Sequence, residues 1–320
     1  MANKIQLSFN ASGTFKIVQF TDVHRTYGEE QDMASMQLME EVLELEKPDL
    51  VFYSGDLISG DAITKHGRGD SRQIILEVVE PAERRRIPWA LVFGNHDGQG
   101  TANNQQLLET LQRSELCLAS AGPAGIHGVG NYVLRINGST NDQIAAAIYA
   151  FDSGDRSPLG GWGAITRDQI AWYIDESMKL NHGQAVPIPA IAFFHIPIPE
   201  YNEVWDHHVC YGTKWEKVCC PDLNTGLFQA MVEMGDVAGT FAGHDHSNNY
   251  YGDLHGIRLT YGQATGGYSK HDSPKGARII ELREGERSYE SWIRLSGGLL
   301  IAEQQEHLPE GRVFSPVPNS

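Results

Sequence analysis

Five times in this sequence an apolar run ends directly on side chains that bind metal ions. Phe15–Phe20 is followed by Thr21-Asp22-Val23-His24, and Leu50–Tyr53 by Ser54-Gly55-Asp56. Trp89–Phe93 is followed by Gly94-Asn95-His96-Asp97, Ala190–Phe194 by His195, and Val237–Ala242 by Gly243-His244-Asp245-His246. Carboxylate, amide and imidazole together suit Zn, Fe and Mn. At strand ends they stand where open α/β sheets bind their ligands. Each has a plainer reading when taken alone. Asp22 serves as a helix cap with His24 on the surface, Gly55-Asp56 as a turn, and a lone His195 carries no information. Gly94–Asp97 is harder to explain as a turn, because turns rarely need histidine there. A His-x-His pair behind a buried strand is also unusual. Recurrence behind all five runs, in order, favours a metal site.

The elements that must position these donors read as alternating strands and helices. Phe15–Phe20 is a buried strand. Met33, Met36, Met39, Leu43 and Glu46 mark a helix face over Gln31–Glu46, closed by Lys47-Pro48. The strand Leu50–Tyr53, the helix Ser71–Arg85, the strand Trp89–Phe93 and a helix around Leu107–Leu111 follow, a βαβ pattern. Beyond Gly122-Pro123, Asn131–Ile136 and Ile144–Phe151 read as strands joined by an Asn137-Gly138 turn. Thr166–Leu180 reads as a helix capped by Thr166. Ala190–Phe194 is a strand, Ile196–Asn224 irregular, Gly226–Met234 a short helix and Val237–Ala242 a strand. Ile257–Tyr261, Ala277–Leu282 and Tyr289–Leu295 complete the strands. With no repeat and no linker, residues 1–320 read as one α/β domain, with a core of about 15–296 and a tail of 297–320.

The chain of 320 residues is long enough to bury a substantial core. Twenty-five Lys and Arg against 41 Asp and Glu leave a net charge of −16, which argues against a nucleic-acid polymer as partner. A bound ion still allows a positive site within an acidic surface. No apolar stretch approaches the ~20 residues that span a bilayer, so no membrane partner is expected. Residues 1–15 lack the apolar segment of a signal peptide. The chain as given therefore reads as cytoplasmic, or as secreted or periplasmic if a signal peptide has been removed. Cys117 stands alone, while Cys210, Cys219 and Cys220 cluster. All four read as reduced thiols, with a Cys210–Cys219 or Cys210–Cys220 disulfide as the alternative. The absence of paired C-x-x-C spacing speaks against a further metal site.

The order D-x-H, G-D, G-N-H-D, H and G-H-x-H resembles the calcineurin-like metallophosphoesterases, over about Phe15 to Tyr261. Phe151-Asp152-Ser153-Gly154, Gly161-Trp162-Gly163, the segment from Gly128 to Val133 and the segment from His195 to Tyr201 are similar to the purple acid phosphatase-related branch. The resemblance implies a four-layer α/β/β/α sandwich of two mixed sheets flanked by helices. It implies two divalent or mixed-valence ions of Fe, Mn or Zn. Asp22, His24 and His246 would bind the first, Asn95, His195 and His244 the second, and Asp56 would bridge them. A hydroxide between the ions would attack phosphorus in line. His96 would be a catalytic non-ligand that protonates the leaving oxygen or steadies the transition state, and Asp97 either orients His96 or shapes the turn. True purple enzymes place a metal-bound tyrosine three residues after the G-D aspartate and lack the D-x-H histidine. Here Ser59 and His24 stand at those positions, so no tyrosinate–iron colour is expected.

The resemblance thus implies hydrolysis of a small phosphate monoester. Cyclic nucleotides or other small diesters are the alternative substrates, and a non-catalytic metal-binding scaffold is the third reading. Ile196–Asn224 is expected to wall the pocket, although any one of Tyr201, Trp205, Tyr211 and Trp215 is better read as packing the loop down. His207 and His208 read as solvent-facing, and Lys65, His66 and Arg68 as a solvated basic turn, with phosphate binding as the alternative. Asp245, between two expected ligands, reads as a supporting or capping residue.

Overall fold

A computed structural model describes residues 5–157, 160–268 and 272–309. Among these residues the strands are β1 (Leu7–Ser8), β2 (Thr14–Phe20), β3 (Leu50–Ser54), β4 (Trp89–Val92), β5 (Tyr132–Asn137), β6 (Ile144–Ala150), β7 (Ala190–Phe193) and β8 (Cys210–Tyr211). They continue with β9 (Val237–Ala242), β10 (Tyr251–Leu254), β11 (Ile257–Tyr261), β12 (Gly276–Arg283), β13 (Tyr289–Leu295), β14 (Leu300–Ile301) and β15 (Glu306–His307). The helices are α1 (Glu30–Glu46), α2 (Gly60–His66), α3 (Ser71–Arg84), α4 (Asn104–Leu111), α5 (Arg167–Leu180), α6 (Glu200–His207) and α7 (Leu227–Met234).

One sheet runs β14-β13-β12-β2-β3-β4, with β2, β3 and β4 parallel. The other runs β1-β5-β6-β7-β9-β11-β10-β8-β15, with β6, β7, β9 and β11 parallel. Side-chain alternation along β6 shows why its sequence is apolar throughout. Ala146, Ile148 and Ala150 enter one core, while Ala147 and Tyr149 enter the other. A strand buried on both faces needs apolar residues at every position. The core between the sheets is tied by Phe52 stacked on Phe193 at 3.8 Å and Phe193 on Phe241 at 5.1 Å. Helices α1, α3 and α4 join the same buried cluster through Val42, Val78 and Leu108. On the far side of the second sheet Tyr173 of α5, Val204 of α6 and Met231 of α7 share a second buried cluster with Tyr149 and Ala192. The result is an α/β/β/α sandwich whose parallel strands carry the donor loops.

Four local expectations change. The buried face of α1 is Ser35, Leu38, Met39, Val42, Leu43 and Glu46, while Met33 is 59% exposed. Glu46 tolerates burial because Arg294 Nη2 lies 2.6 Å away and Trp292 Nε1 donates to it at 3.2 Å. The stretch Ile196–Asn224 is not wholly irregular, for it contains α6 and β8. Lys65 and His66 lie in α2 rather than in a turn. Residues 138–143 join β5 to β6, with Gly138 N–H donating to Gln143 O, so the connection is longer than a two-residue turn. All four cysteines are free thiols. No helix among the described residues is long and apolar enough to cross a membrane.

Candidate metal centre

Each donor loop leaves the carboxyl end of a parallel strand, and those behind β2, β3 and β9 turn through left-handed backbone. Among the described residues seven non-glycine positions have positive φ, and Asp22 (53°), His24 (52°), Asp56 (52°) and His244 (72°) are four of them. Such backbone costs roughly 1–3 kcal/mol at each residue and gathers at functional sites. The loops hold one another in it. Asp22 N–H donates to Gly55 O at 3.0 Å, His24 N–H to Asp56 O at 2.9 Å, and Gly243 N–H to His195 O at 2.9 Å. His244 N–H donates to the Asp22 carboxylate at 3.1 Å, and His96 N–H to Asp56 Oδ1 at 2.8 Å. Two glycines allow this crowding. A Cβ on Gly94 would overlap Asp56 Oδ1, and one on Gly55 would overlap the His195 ring.

The donors fall into two groups that share one residue. Atoms of Asp22, His24, Asp56 and His246 lie within 4.8 Å of one another, as do atoms of Asp56, His195 and His244. Asp56 Oδ2 is 3.4 Å from His24 Nε2 and 3.2 Å from His195 Nε2, so one oxygen faces both groups. On the first side His246 Nε2 is 3.4 Å from Asp22 Oδ1 and 2.9 Å from His24 Nε2. On the second, Asn95 Oδ1 and His244 Nε2 are buried without a hydrogen-bond partner among the described residues. An orphaned buried polar atom costs about 1–3 kcal/mol, and such atoms call for an ion or a specific function. Both belong to residues expected at the second metal. The residues present therefore fit a pair of borderline divalent ions.

Three imidazoles are aimed from behind. His246 Nδ1 donates to the Tyr268 carbonyl at 2.5 Å and His195 Nδ1 to the Ser54 carbonyl at 2.9 Å. Ser59 Oγ donates to the His24 carbonyl at 3.3 Å and so accepts from His24 Nδ1 at 3.1 Å. Each contact leaves Nε2 as the free donor of its ring. Burial lowers His24 to about 4 and His244 to about 3, which keeps both rings neutral. For Asp22 burial works upward, yet the hydrogen bond and charge of His246 outweigh it and hold the carboxyl at about 2. Burial also works against charge on His195, but Asp56 beside it prevails and pushes the ring up to about 10.

His96 belongs to neither donor group. Its ring lies edge-on to His24 at 5.3 Å and forms part of a cavity of about 510 Å³. Asp97 shapes the loop, which was one of its two expected roles. Its carboxylate accepts from the backbone N–H groups of Asp56 and Ile58 at 3.0 Å and of Gly94 at 2.8 Å. The His96 ring instead meets Gln99 and Asp61. Burial and the nearby Asp56 charge push Asp97 up to about 7 against those donors.

The cavity wall also includes Gln31, Trp162, Gly267 and Tyr268, none of which sequence reasoning placed there. Trp162 was visible only as part of a motif fragment. Its ring lies edge-on to His244 at 4.2 Å and under the Arg156 guanidinium at 3.7 Å. From the expected pocket loop, Glu216 and Cys219 reach the wall. Tyr201 is buried against Thr240 and Thr260, Trp205 stacks on His307 at 3.7 Å, and Trp215 is half-exposed. Arg68 lies over Tyr27, and His66 meets the same ring. Cys219, His244 and Asp245 form a third close group. Asp245 is already engaged by the Tyr261 hydroxyl at 2.5 Å and Cys219 N–H at 3.1 Å, the supporting role expected of it.

The calcineurin-like phosphoesterase family model matches residues 15–248. The chain is 32% identical to "Probable inactive purple acid phosphatase 28" of Arabidopsis thaliana, over 96% of this chain and 86% of that protein. It is 31% identical to "Phosphatase DCR2" of Saccharomyces cerevisiae, over 89% of this chain and 54% of that one. A dimetal phosphatase from Danio rerio shares the fold, with a TM-score of 0.59 at 15% identity over 87% of this chain and 98% of that one. Motif order, layered sheets and the domain match agree, and the chain belongs to the calcineurin-like phosphoesterase family, with purple acid phosphatase-like proteins among its relatives.

Proposed function

We propose that the protein is a phosphomonoesterase that hydrolyses small phosphate esters at a dinuclear centre of Fe, Mn or Zn. The observation that carries this reading is Asp56 Oδ2, which faces His24 and His195 from between the two donor groups. Asp22, His24 and His246 would hold one ion, Asn95, His195 and His244 the other, and Asp56 both. When bound, the ions would draw charge from the phosphate and make water nucleophilic near neutral pH. The chain supplies only two carboxylates, with four imidazoles and one amide, so the loaded site keeps positive charge for an anionic ester. His96 on the cavity wall would protonate the leaving oxygen. A cavity of about 510 Å³ suits a small ester, and the net charge of −16 disfavours a nucleic-acid strand.

The word "inactive" in the name of the Arabidopsis relative supports a second reading, a metal-binding scaffold without turnover. The complete donor set here supports hydrolysis. Metal-free protein reloaded with Mn, Zn or Fe and assayed on aryl phosphate monoesters and diesters decides among the readings. Faster monoester cleavage supports the proposal, and a strong diester preference moves the assignment to phosphodiesterase. Turnover no greater than that of Asp56→Asn supports the scaffold.

A further inference from the structure

We infer that Gln99 and Asp155 fix the His96 ring so that only Nε2 is offered to the ester, which makes both of them positioning residues for proton donation to the leaving group. The inference rests on the phosphoesterase reading above. His96 is followed by one 3-10 turn, Asp97–Gln99, which brings the Gln99 side chain back to it. Gln99 Oε1 is 3.0 Å from His96 Nδ1, and Gln99 Nε2 donates to Asp155 Oδ2 at 3.0 Å. Asp155 comes from the loop behind β6, in the other sheet. Its carbonyl accepts Gly163 N–H at 2.9 Å, and the next residue, Arg156, caps Trp162. Two loops from different sheets therefore meet at Gln99, behind one ring.

Donor and acceptor chemistry makes the chain one-directional. An ionised carboxylate only accepts, so the Gln99 amide turns its NH₂ to Asp155 and its oxygen to the ring. That oxygen also only accepts, so His96 Nδ1 carries hydrogen. Asp61 Oδ1, 3.4 Å from the same nitrogen, is another acceptor and reinforces the assignment. The backbone is held as well, with His96 N–H on Asp56 Oδ1 and Gly60 N–H donating to His96 O at 3.2 Å. Nε2 is left as the exchanging nitrogen. As the P–O ester bond breaks, its electron pair stays on the leaving oxygen, which takes the proton from Nε2 of the imidazolium. Water supplies the hydroxyl that bonds to phosphorus, and the proton that this water loses restores Nε2. Throughout, Nδ1–H stays on Gln99.

Two readouts test the assignment. In zinc-loaded protein with ¹⁵N-labelled histidine, the His96 ring should be Nδ1-protonated, and Gln99→Ala and Asp155→Ala should mix its tautomers. In kinetics, esters with leaving groups from nitrophenol to a simple alkanol separate proton donation from other defects. Gln99→Ala and Asp155→Ala should lose about tenfold or more in kcat on the alkyl ester, with KM little changed, while the nitrophenyl ester stays near the wild-type rate. The paired exchange Gln99→Glu with Asp155→Asn keeps an acceptor at Nδ1 and a donor behind it, and should restore most of the alkyl-ester rate. A wild-type ring protonated only at Nε2, or equal losses on every ester with an unchanged tautomer, would overturn the inference. If the wild type cleaves no ester, the phosphoesterase reading fails and takes the proton-donor role with it. A tautomer that still shifts in Asp155→Ala would then support the held ring alone.

Discussion

Ser59 Oγ accepts from His24 Nδ1 at 3.1 Å while donating to the carbonyl of the same residue at 3.3 Å. One hydroxyl thus fixes both the ring and the left-handed backbone of His24. The resemblance to true purple enzymes puts a metal-bound tyrosine at this serine position and no histidine at position 24, so His24 would serve as ligand in place of that tyrosine. Ser59→Ala should weaken metal affinity at the first site by about tenfold or more, read by competitive metal titration. The iron-loaded wild type should show no tyrosinate-to-iron band in the visible range. Unchanged affinity, or a visible band lost on changing a tyrosine, contradicts this account.

Asp97 and His96 are neighbours with separable roles. Asp97→Ala leaves the N–H groups of Asp56, Ile58 and Gly94 without their acceptor. Even one such orphan costs about 1–3 kcal/mol, so the variant should unfold at markedly lower denaturant concentration and bind metal poorly. His96→Ala should keep its stability and metal content yet lose about 10²–10⁴ in kcat on poor leaving groups. Chemical denaturation of both variants beside their kinetics checks the separation. A stable, metal-replete Asp97→Ala would contradict it.

Gly94→Ala puts a Cβ into Asp56 Oδ1, the oxygen that already accepts His96 N–H. Displacing the shared carboxylate should cost both metal sites rather than one. Elemental analysis of the purified variant should find less than one ion per chain, with reduced thermal stability. Two retained ions would show that the loop has room to shift.

The proton on His195 gives metal binding a pH dependence of known sign. Asp56 holds the metal-free ring at about 10 despite burial, above the ~6.5 of an unfolded histidine. In metal-free protein the stability from this pair is complete below about 6.5 and is lost as pH rises towards 10. Metal must displace the proton, so apparent affinity should increase with pH across the neutral range. Calorimetric titration near pH 8 should show buffer-dependent heats equivalent to about one proton released or more. Heats independent of the buffer would refute the assignment.

The donor residues were legible because each follows an apolar strand directly, and strand ends such as Ala242 and Tyr261 can be read from where the run stops. The supports behind the donors were less legible. Tyr268 and Ser54 aim His246 and His195 through backbone carbonyls, which any residue type supplies. Ser59 is marked in the sequence by the absence of a tyrosine, while its hold on the His24 ring depends on tertiary contact. The short helices α2 and α6 are stabilised by packing rather than by a long apolar period, and so carry little signal in the sequence. On α1 the methionines drew attention from Leu38 and Val42, and burial of Glu46 depends on Arg294, 248 residues away.

The most direct test of a shared-carboxylate dinuclear phosphatase is the rate of aryl phosphate hydrolysis as Mn or Zn is titrated into metal-free protein. The account predicts that turnover climbs to a plateau at two equivalents per chain and is lost in Asp56→Asn. A plateau at one equivalent, or two bound equivalents with no ester cleaved, would contradict it.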